Sequence, residues 1–322
     1  MNGSTGSTKL HWRLALPAGA LATMTLSACL GSVESGNPSP APSVPPLQSV
    51  VASAASGTCA PCVVKGPNRR LTVGILDATG TPVGGGVTVK VQVYLLPPGN
   101  GQPTAIGPVM DAPYEGGLLQ NKGVYVVHQT FDKAGFYNVV VRAVKGSLST
   151  TTTAAFQVVD SDPGIAVGSP APRSQNPTAS QVSNIREIDT NVPPDDMHYT
   201  SIAAAIAAHH PVVIYFGAPG FCRSRNCGPE SDVVKSLEPA YRPKGVDFVH
   251  IETYKGGTPD NPDLTKATTS PTFDEWKLTS DPWVFVVDKN GLVAAKFDGP
   301  TSPDEIEAVL RGVVGQFESG KG

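Results

Sequence analysis

The sequence predicts two folded domains, an all-β sandwich followed by an α/β domain. Three observations support this division. Residues 69–159 contain segments in which apolar and polar residues alternate, with no helical pattern between them. Residues 185–322 instead alternate helical and strand patterns. Two stretches rich in Pro, Ser and Gly flank the first part. We therefore expect domains at residues 64–160 and 185–322, joined by a linker at residues 161–184.

Charge and composition exclude some classes of protein. The 322 residues carry a net charge of −3 without a basic block, so nucleic acid is not an expected partner. The 34 glycines and 31 prolines are typical of turns and linkers around domains of modest size. The motifs predict neither a bound metal nor an organic cofactor.

The first 28 residues have the pattern of a signal peptide. Lys9 and Arg13 precede the apolar run Leu14–Leu26, which is too short to span a bilayer comfortably. The run ends in Leu-Ser-Ala-Cys29, which resembles the lipobox of bacterial lipoproteins. That resemblance implies cleavage before Cys29, a lipid on its sulfur, and anchoring at the extracytoplasmic face of the bacterial cell membrane. An ordinary signal peptide and an uncut helix remain the alternatives.

The next segment, residues 29–63, is predicted to be a lipidated cysteine followed by a tether rich in Pro, Ser and Ala. It ends in a CxxC pair, Cys59 and Cys62. A second CxxC for a four-thiolate zinc site is absent from the sequence. A local structural disulfide is the expected role of the pair, and disulfide exchange with the C-terminal cysteines is the alternative.

The predicted sandwich has five clear strands. They are Leu71–Leu76, Val87–Leu95, Val124–Phe131, Phe136–Val144 and Thr151–Val159. Asp132–Tyr137 resembles the corner of immunoglobulin-like sandwiches, in which a tyrosine hydroxyl bonds back to the backbone. The resemblance implies an immunoglobulin-like domain at residues 64–160. Such domains usually act as spacers between other domains or as binding modules.

The predicted α/β domain alternates short strands and helices. The strands are Ile185–Asp189, Val212–Phe216, Val246–Tyr254, and a hairpin of Trp283–Val287 with Leu292–Phe297; the helices are Tyr199–His209, Pro229–Tyr241, Pro271–Leu278 and one starting at the capping box Ser302–Glu305.

Two cysteines follow the apolar strand Val212–Phe216. Cys222 and Cys227 stand just before a helix that starts at Pro229, so the helix N-terminus would stabilise a thiolate there, and Arg223 and Arg225 would act in the same direction. Five positions along one regular helix would separate the sulfurs too far for a disulfide. We therefore expect Cys222 in the loop and Cys227 at or near the first helical turn.

This segment resembles the active-site segment of the thioredoxin-like superfamily. Phe221-Cys222 takes the place of the Trp-Cys pair, and Cys227-Gly-Pro229 opens the helix. Four residues separate the cysteines, where the commonest motif has two. The resemblance implies a thiol–disulfide oxidoreductase in which Cys222 attacks a substrate disulfide and Cys227 resolves the mixed disulfide. Exported thiol or disulfide proteins and an upstream redox partner would be its partners.

Further site residues follow from the same resemblance. Pro282 matches the cis-proline that faces the cysteines in that superfamily. The backbone before this proline pairs with the bound substrate peptide. Phe221 and Asp281 would belong to the same substrate-binding surface. Asp281 is expected to disfavour acidic substrates or to raise a thiol pKa. Glu252 is a possible acid/base group, because it ends a strand near the cysteines. Alternatively, His250 and Glu252 pair with each other or with loop backbone.

Two other classes of function remain open. A copper chaperone similar to the Sco type would use Cys222, Cys227 and His250 as ligands. A non-catalytic surface lipoprotein would use both domains for binding alone. Peroxidase chemistry of the Thr-x-x-Cys type is disfavoured, because Pro219 stands at the threonine position.

Overall fold

The structure is a computed structural model that describes residues 47–53, 62–99, 101–117, 119, 123–161, 164–222, 226–255 and 268–319. The predicted signal peptide, the predicted lipidation site Cys29 and Cys59 of the predicted local disulfide lie outside these residues. Every helix among these residues is too short or too polar to span a bilayer.

The first described part consists of strands packed as two sheets. The strands are β1 (Leu47–Ser53), β2 (Cys62–Val64), β3 (Gly66–Asp77), β4 (Thr88–Leu95), β5 (Thr104–Asp111), β6 (Tyr114–Glu115), β7 (Val124–Phe131), β8 (Gly135–Lys145) and β9 (Leu148–Val159). One sheet has the order β1-β3-β7-β6 and the other β2-β9-β8-β4-β5. Alternate residues such as Val89, Val91 and Val93 point inward and form one apolar core between the sheets.

The expected tyrosine corner is present in this part. The Tyr137 hydroxyl donates a hydrogen bond to the Lys133 carbonyl at 2.8 Å. The tyrosine ring packs against Phe131 and Phe156 in the core. The contact therefore fixes the turn before β8 to the interior of the sandwich.

The predicted tether at residues 29–63 extends too far. β1 pairs antiparallel with β3, and β2 pairs in parallel with β9, so both belong to the sandwich. Leu47 is buried in its core. The Pro- and Ser-rich composition concealed these strands, whose pairing depends on backbone hydrogen bonds to a neighbouring strand.

The second described part is a sheet with helices on both faces. Its elements are α1 (Ile202–Ala207), β10 (Val212–Gly217), α2 (Cys227–Tyr241), β11 (Asp247–Glu252), β12 (Tyr254–Lys255), β13 (Thr268–Thr269), α3 (Pro271–Glu275), β14 (Trp283–Val287), β15 (Val293–Asp298) and α4 (Pro303–Ser319). The main sheet has the order β11-β10-β14-β15; β10 and β11 are parallel and the other pairs antiparallel. This is the thioredoxin-like strand order that the sequence resemblance implied.

Alternation along β10 explains the layers. Val213 and Tyr215 face α2 and α4, whereas Ile214 and Phe216 face α1 and α3. All six residues of β10 are buried, which accounts for its continuous apolar run. The strand that precedes the cysteines is thus held on both faces.

Two predictions about the start of this part are wrong. Ile185–Asp189 is not a strand: Ile185–Glu187 is a 3-10 turn, because Asn184 and Glu187 form a capping box around it. The predicted linker, residues 161–184, also packs on the α/β part from residue 168: the Gly168 N–H donates to the Val293 carbonyl and the Ala171 N–H to the Gly291 carbonyl. Ser174 accepts a hydrogen bond from the Trp276 indole at 2.9 Å.

The sandwich and the α/β part are joined by a partly buried ion pair. Arg70 of β3 makes two hydrogen bonds to the Glu305 carboxylate, at 2.6 and 3.0 Å, and a third to the Pro300 carbonyl at 2.8 Å. Glu305 is also the residue that caps α4, since it accepts from the Ser302 N–H at 3.1 Å. Leu119, from the connection between β6 and β7, is 1% exposed and belongs to the apolar core around α2 and α4. The two parts therefore share an interior.

Candidate functional site

The two C-terminal cysteines form a disulfide at the start of α2. Cys227 is the first residue of the helix and Cys222 lies in the preceding loop, as expected; their Cα atoms are 5.8 Å apart. The Cys227 N–H, one of the free amides of the first helical turn, donates to the Cys222 sulfur at 3.1 Å. This amide and the helix dipole would stabilise negative charge on the Cys222 sulfur once the disulfide opens.

The two sulfurs differ in access. Cys227 is fully buried, whereas Cys222 is half-buried. An attacking thiolate can therefore reach Cys222 and not Cys227. Phe221 beside it is 5% exposed, so its ring packs inward rather than forming an open substrate surface. Arg223 and Arg225 lie outside the described residues.

Hydrogen bonds from the residues just before Cys222 hold the loop that carries it. The Gly220 N–H donates to the Thr190 hydroxyl at 3.0 Å, and the Phe221 N–H donates to the Ala218 carbonyl at 2.8 Å. On the helix side, the buried Tyr215 hydroxyl donates to the Cys227 carbonyl at 2.7 Å. Burial raises the pKa of Tyr215 well above its ordinary value, so it remains a neutral donor.

The peptide bond between Asp281 and Pro282 is cis, directly before β14. The Asp281 carboxylate and the two cysteine sulfurs all lie within 4.8 Å of one another. The thioredoxin-like resemblance implies that Pro282 faces the cysteines, and the carboxylate of the residue before it lies beside the sulfurs. A carboxylate this close to the sulfurs opposes the thiolate-stabilising effect of the helix N-terminus.

Glu252, at the end of β11, is buried and held by Thr190. One carboxylate oxygen accepts from the Thr190 N–H at 2.9 Å and from its hydroxyl at 2.7 Å. Burial raises the pKa of Glu252 to about 7, although the charge of His250 and the Thr190 hydrogen bonds oppose the shift. Since the same Thr190 hydroxyl receives the Gly220 N–H, Glu252 is linked to the cysteine loop through one side chain.

A second buried carboxyl group, Glu230, was not singled out from the sequence. It lies one helical turn after Cys227 and accepts from the Thr301 N–H at 2.9 Å. Burial raises the pKa of Glu230 to about 8. Its i, i+3 spacing from Cys227 on the inner face of α2 is the signal that would have predicted its burial.

The histidine of the copper-chaperone hypothesis does not join the cysteines. The two ring nitrogens of His250 contact the Asp195 carboxylate at 2.9 Å and the Gly217 carbonyl at 3.2 Å. It belongs to a separate cluster with Asp189, Asp195 and His198, while the cysteines cluster with Asp281. The expected set of two thiolates and His250 is therefore not assembled.

Comparison with known proteins gives remote structural likenesses only. No family model matches the chain, and no curated protein matches it. A thiol:disulfide interchange protein DsbE from Chlorobium tepidum is 15% identical, with 47% of this chain and 99% of that chain covered and a TM-score of 0.34. A thioredoxin family thiol:disulfide interchange protein from Chlorobium tepidum TLS is 17% identical, covering 39% and 92%, with a TM-score of 0.29. MTB dsbF is 19% identical, covering 40% and 96%, with a TM-score of 0.28. At these scores the likeness assigns no activity to this chain; the thioredoxin-like description rests on its own strand order.

Proposed function

We propose that this chain is a thiol–disulfide oxidoreductase of the thioredoxin-like superfamily that acts on exported proteins at the extracytoplasmic face of the membrane. The observation that carries the proposal is the Cys222–Cys227 disulfide at the N-terminus of α2, with the cis-Pro282 peptide beside it. A purely structural disulfide would require neither a half-buried sulfur nor an amide directed at that sulfur.

The exchange reaction follows from the different access to the sulfurs. A substrate thiolate attacks Cys222, the Cys222–Cys227 bond breaks, and Cys227 leaves as a thiolate at the helix N-terminus. A second substrate thiolate then attacks the substrate sulfur of the mixed disulfide, and the Cys222 thiolate leaves. The substrate dithiol loses two electrons and two protons, and the enzyme disulfide gains them and becomes a dithiol. In the reverse direction Cys222 attacks and Cys227 resolves.

Asp281 and Pro282 would contribute to substrate selection. In thioredoxin-like proteins the backbone before the cis-proline pairs with the bound peptide, and here that residue carries a carboxylate beside the sulfurs. Peptides with basic residues near the cysteine would be favoured, because an acidic peptide would be repelled at this position.

The anchoring part of the proposal rests on the lipobox resemblance. A lipid on Cys29 would attach the protein to the membrane, and the all-β part, proposed to be immunoglobulin-like, would space the redox site from it. Replacing Cys29 by Ser is expected to release the protein from the membrane fraction. Retention of the variant there would contradict the lipid anchor and leave the redox proposal untouched.

Two experiments test the redox proposal: trapping of a mixed disulfide, and equilibration of the cysteine pair with redox buffers. Reduced Cys227→Ser should form a stable mixed disulfide with an oxidised model peptide, whereas the matched Cys222→Ser variant should not, because its remaining sulfur is buried. The wild-type protein should titrate reversibly as a two-electron couple in glutathione buffers. A disulfide that stays oxidised throughout, with no adduct in either variant, would show that the pair is structural.

A further inference from the structure

Four side chains of metal-ligand type converge beneath the cysteine loop. They are Asp189, Asp195, His198 and His250, and one ligand atom from each lies within 4.8 Å of the others. The His198 Nε2 atom is 3.3 Å from both Asp carboxylates, and the His250 Nδ1 atom is 2.9 Å from Asp195 and 3.8 Å from Asp189. The cluster is thus assembled from one short segment and β11.

His198 is the independent indication of a ligand. Its side chain is 2% exposed, and neither ring nitrogen has a hydrogen-bond partner among the described residues. Buried polar side chains are nearly always satisfied, so an orphaned imidazole facing two carboxylates requires an explanation. A bound cation between these groups would supply a partner for Nε2, the nitrogen that faces the carboxylates.

The geometry suits a four-coordinate ion. Ligand atoms on a tetrahedron lie about 3.3 Å apart when metal–ligand distances are about 2.0–2.1 Å. The four His–Asp separations of 2.9, 3.3, 3.3 and 3.8 Å involve both oxygens of each carboxylate and are of that size. With one ligand atom from each residue, the four atoms lie within 4.8 Å of one another, so a small contraction would bring them onto a tetrahedron. The two negative charges of the carboxylates, with two neutral imidazoles, would balance a divalent cation and leave no net charge in the interior.

The surrounding contacts resemble those that orient metal ligands. The second nitrogen of His250 faces the Gly217 carbonyl at 3.2 Å, the arrangement that fixes the tautomer of a ligating histidine. The Asp189 carboxylate accepts from the backbone N–H groups of Asn191 and Asp195, at 2.7 and 2.6 Å. The carboxylates are therefore held in place by the loop itself.

We propose that Asp189, Asp195, His198 and His250 form a closed structural site for a divalent transition metal, with Zn²⁺ the best match to two nitrogen and two oxygen ligands. The ion would hold the segment that contains Thr190. Thr190 in turn binds Glu252 and the Gly220 N–H, two residues before Cys222. The metal would thus support the redox loop without contacting the sulfurs.

The test uses the full chain in detergent, with free thiols alkylated and the Cys222–Cys227 disulfide left oxidised, so that no cysteine supplies a thiolate. Zinc is measured by elemental analysis after dialysis and by competition with a chromogenic chelator. One zinc per chain is expected, with a rise in melting temperature of roughly 5–10 °C at 100-fold excess over Kd. His198→Gln and Asp189→Asn should each weaken binding roughly 100-fold or more.

The matched control is His210→Gln, which removes a histidine from a half-exposed His–Asp pair with Asp247; it should bind zinc like the wild type. Co²⁺ added to the wild-type chain should give a tetrahedral spectrum without a thiolate charge-transfer band, a readout that does not depend on a variant folding. A wild-type chain that binds no zinc above background, equal binding in the Asp189 and His198 variants, or a thiolate band would overturn the proposal.

Discussion

Replacing Asp281 by Asn tests whether a carboxylate restrains the reactive thiol. The Asp281 carboxylate lies within 4.8 Å of both cysteine sulfurs. At that distance two unit charges repel by about 1 kcal/mol in water and about 3.5 kcal/mol at an effective dielectric constant of 20. Asp281 is half-buried, so solvent screens part of the repulsion, and we expect ionisation of Cys222 to become easier by about 1–2 kcal/mol.

This free energy predicts two measurable changes. The thiolate fraction at neutral pH rises about 5- to 30-fold, but a more stable thiolate is less nucleophilic, so iodoacetamide should react about 2- to 6-fold faster. At a pH above the thiol pKa, where the thiolate is the main reduced form, the reduced state is stabilised by the same amount and the reduction potential rises by about 20–40 mV; at neutral pH, where the thiol dominates, the rise is smaller. Both effects should shrink at 1 M salt, because the Debye length falls to about 3 Å.

The matched control is Asp232→Asn, which removes the same charge from the exposed side of α2, where the side chain is 63% exposed. It should leave the alkylation rate and the potential unchanged. A slower reaction or a lower potential in Asp281→Asn would refute the electrostatic reasoning, since it would mean that the carboxylate assists thiolate formation.

Three other variants test the buried charges. Glu230→Gln should flatten the pH dependence of stability. The pKa of Glu230 is raised to about 8 in the folded protein, which therefore binds this proton more tightly than the unfolded chain does. The stability of the wild type should accordingly fall as the pH rises towards and through 8. Thermal melting at pH 5 and pH 9 measures this. Arg70→Met should lower the free energy of unfolding by about 1–3 kcal/mol in urea titrations, because it leaves Glu305 partly buried without its partner. Glu252→Gln should remove an inflection near pH 7 from the exchange rate and lower the rate at pH 8 by roughly 10-fold or more, if Glu252 accepts a proton.

Each of these has a distinct contrary outcome. Equal slopes of melting temperature against pH in wild type and Glu230→Gln would show that Glu230 titrates normally. Unchanged unfolding in Arg70→Met, with Lys90→Met as the exposed control, would make the ion pair energetically neutral. A Glu252→Gln profile that keeps its inflection would restrict Glu252 to holding Thr190.

Local patterns predicted the site better than the periphery. Cys227 at a helix start, the turn after β14 and the capping box at Ser302 each depend on a few adjacent residues, and the structure contains all three. β5 was missed because none of its side chains is buried, so Thr104–Asp111 shows no apolar alternation.

Contacts between distant residues could not be predicted in this way. The Arg70–Glu305 pair spans 235 positions, and no local pattern couples them. Asp189, Asp195 and His198 fall within ten residues, a spacing that is compatible with metal ligands, but the fourth group, His250, lies 55 positions after Asp195, and no local pattern links it to them. These four side chains differ from other Asp and His residues in their burial, which their residue types do not predict.

Leu119 belongs to the core of the α/β part, although it lies in the sandwich part of the sequence. A chain shortened to begin after the sandwich would carry a leucine-sized hole, and leucine truncations in packed cores cost about 2–5 kcal/mol. Because the chain is synthesised from its N-terminus, the sandwich that contributes Leu119 is complete before the α/β part emerges. The sandwich therefore stabilises the α/β part through this one side chain and is already present when that part folds.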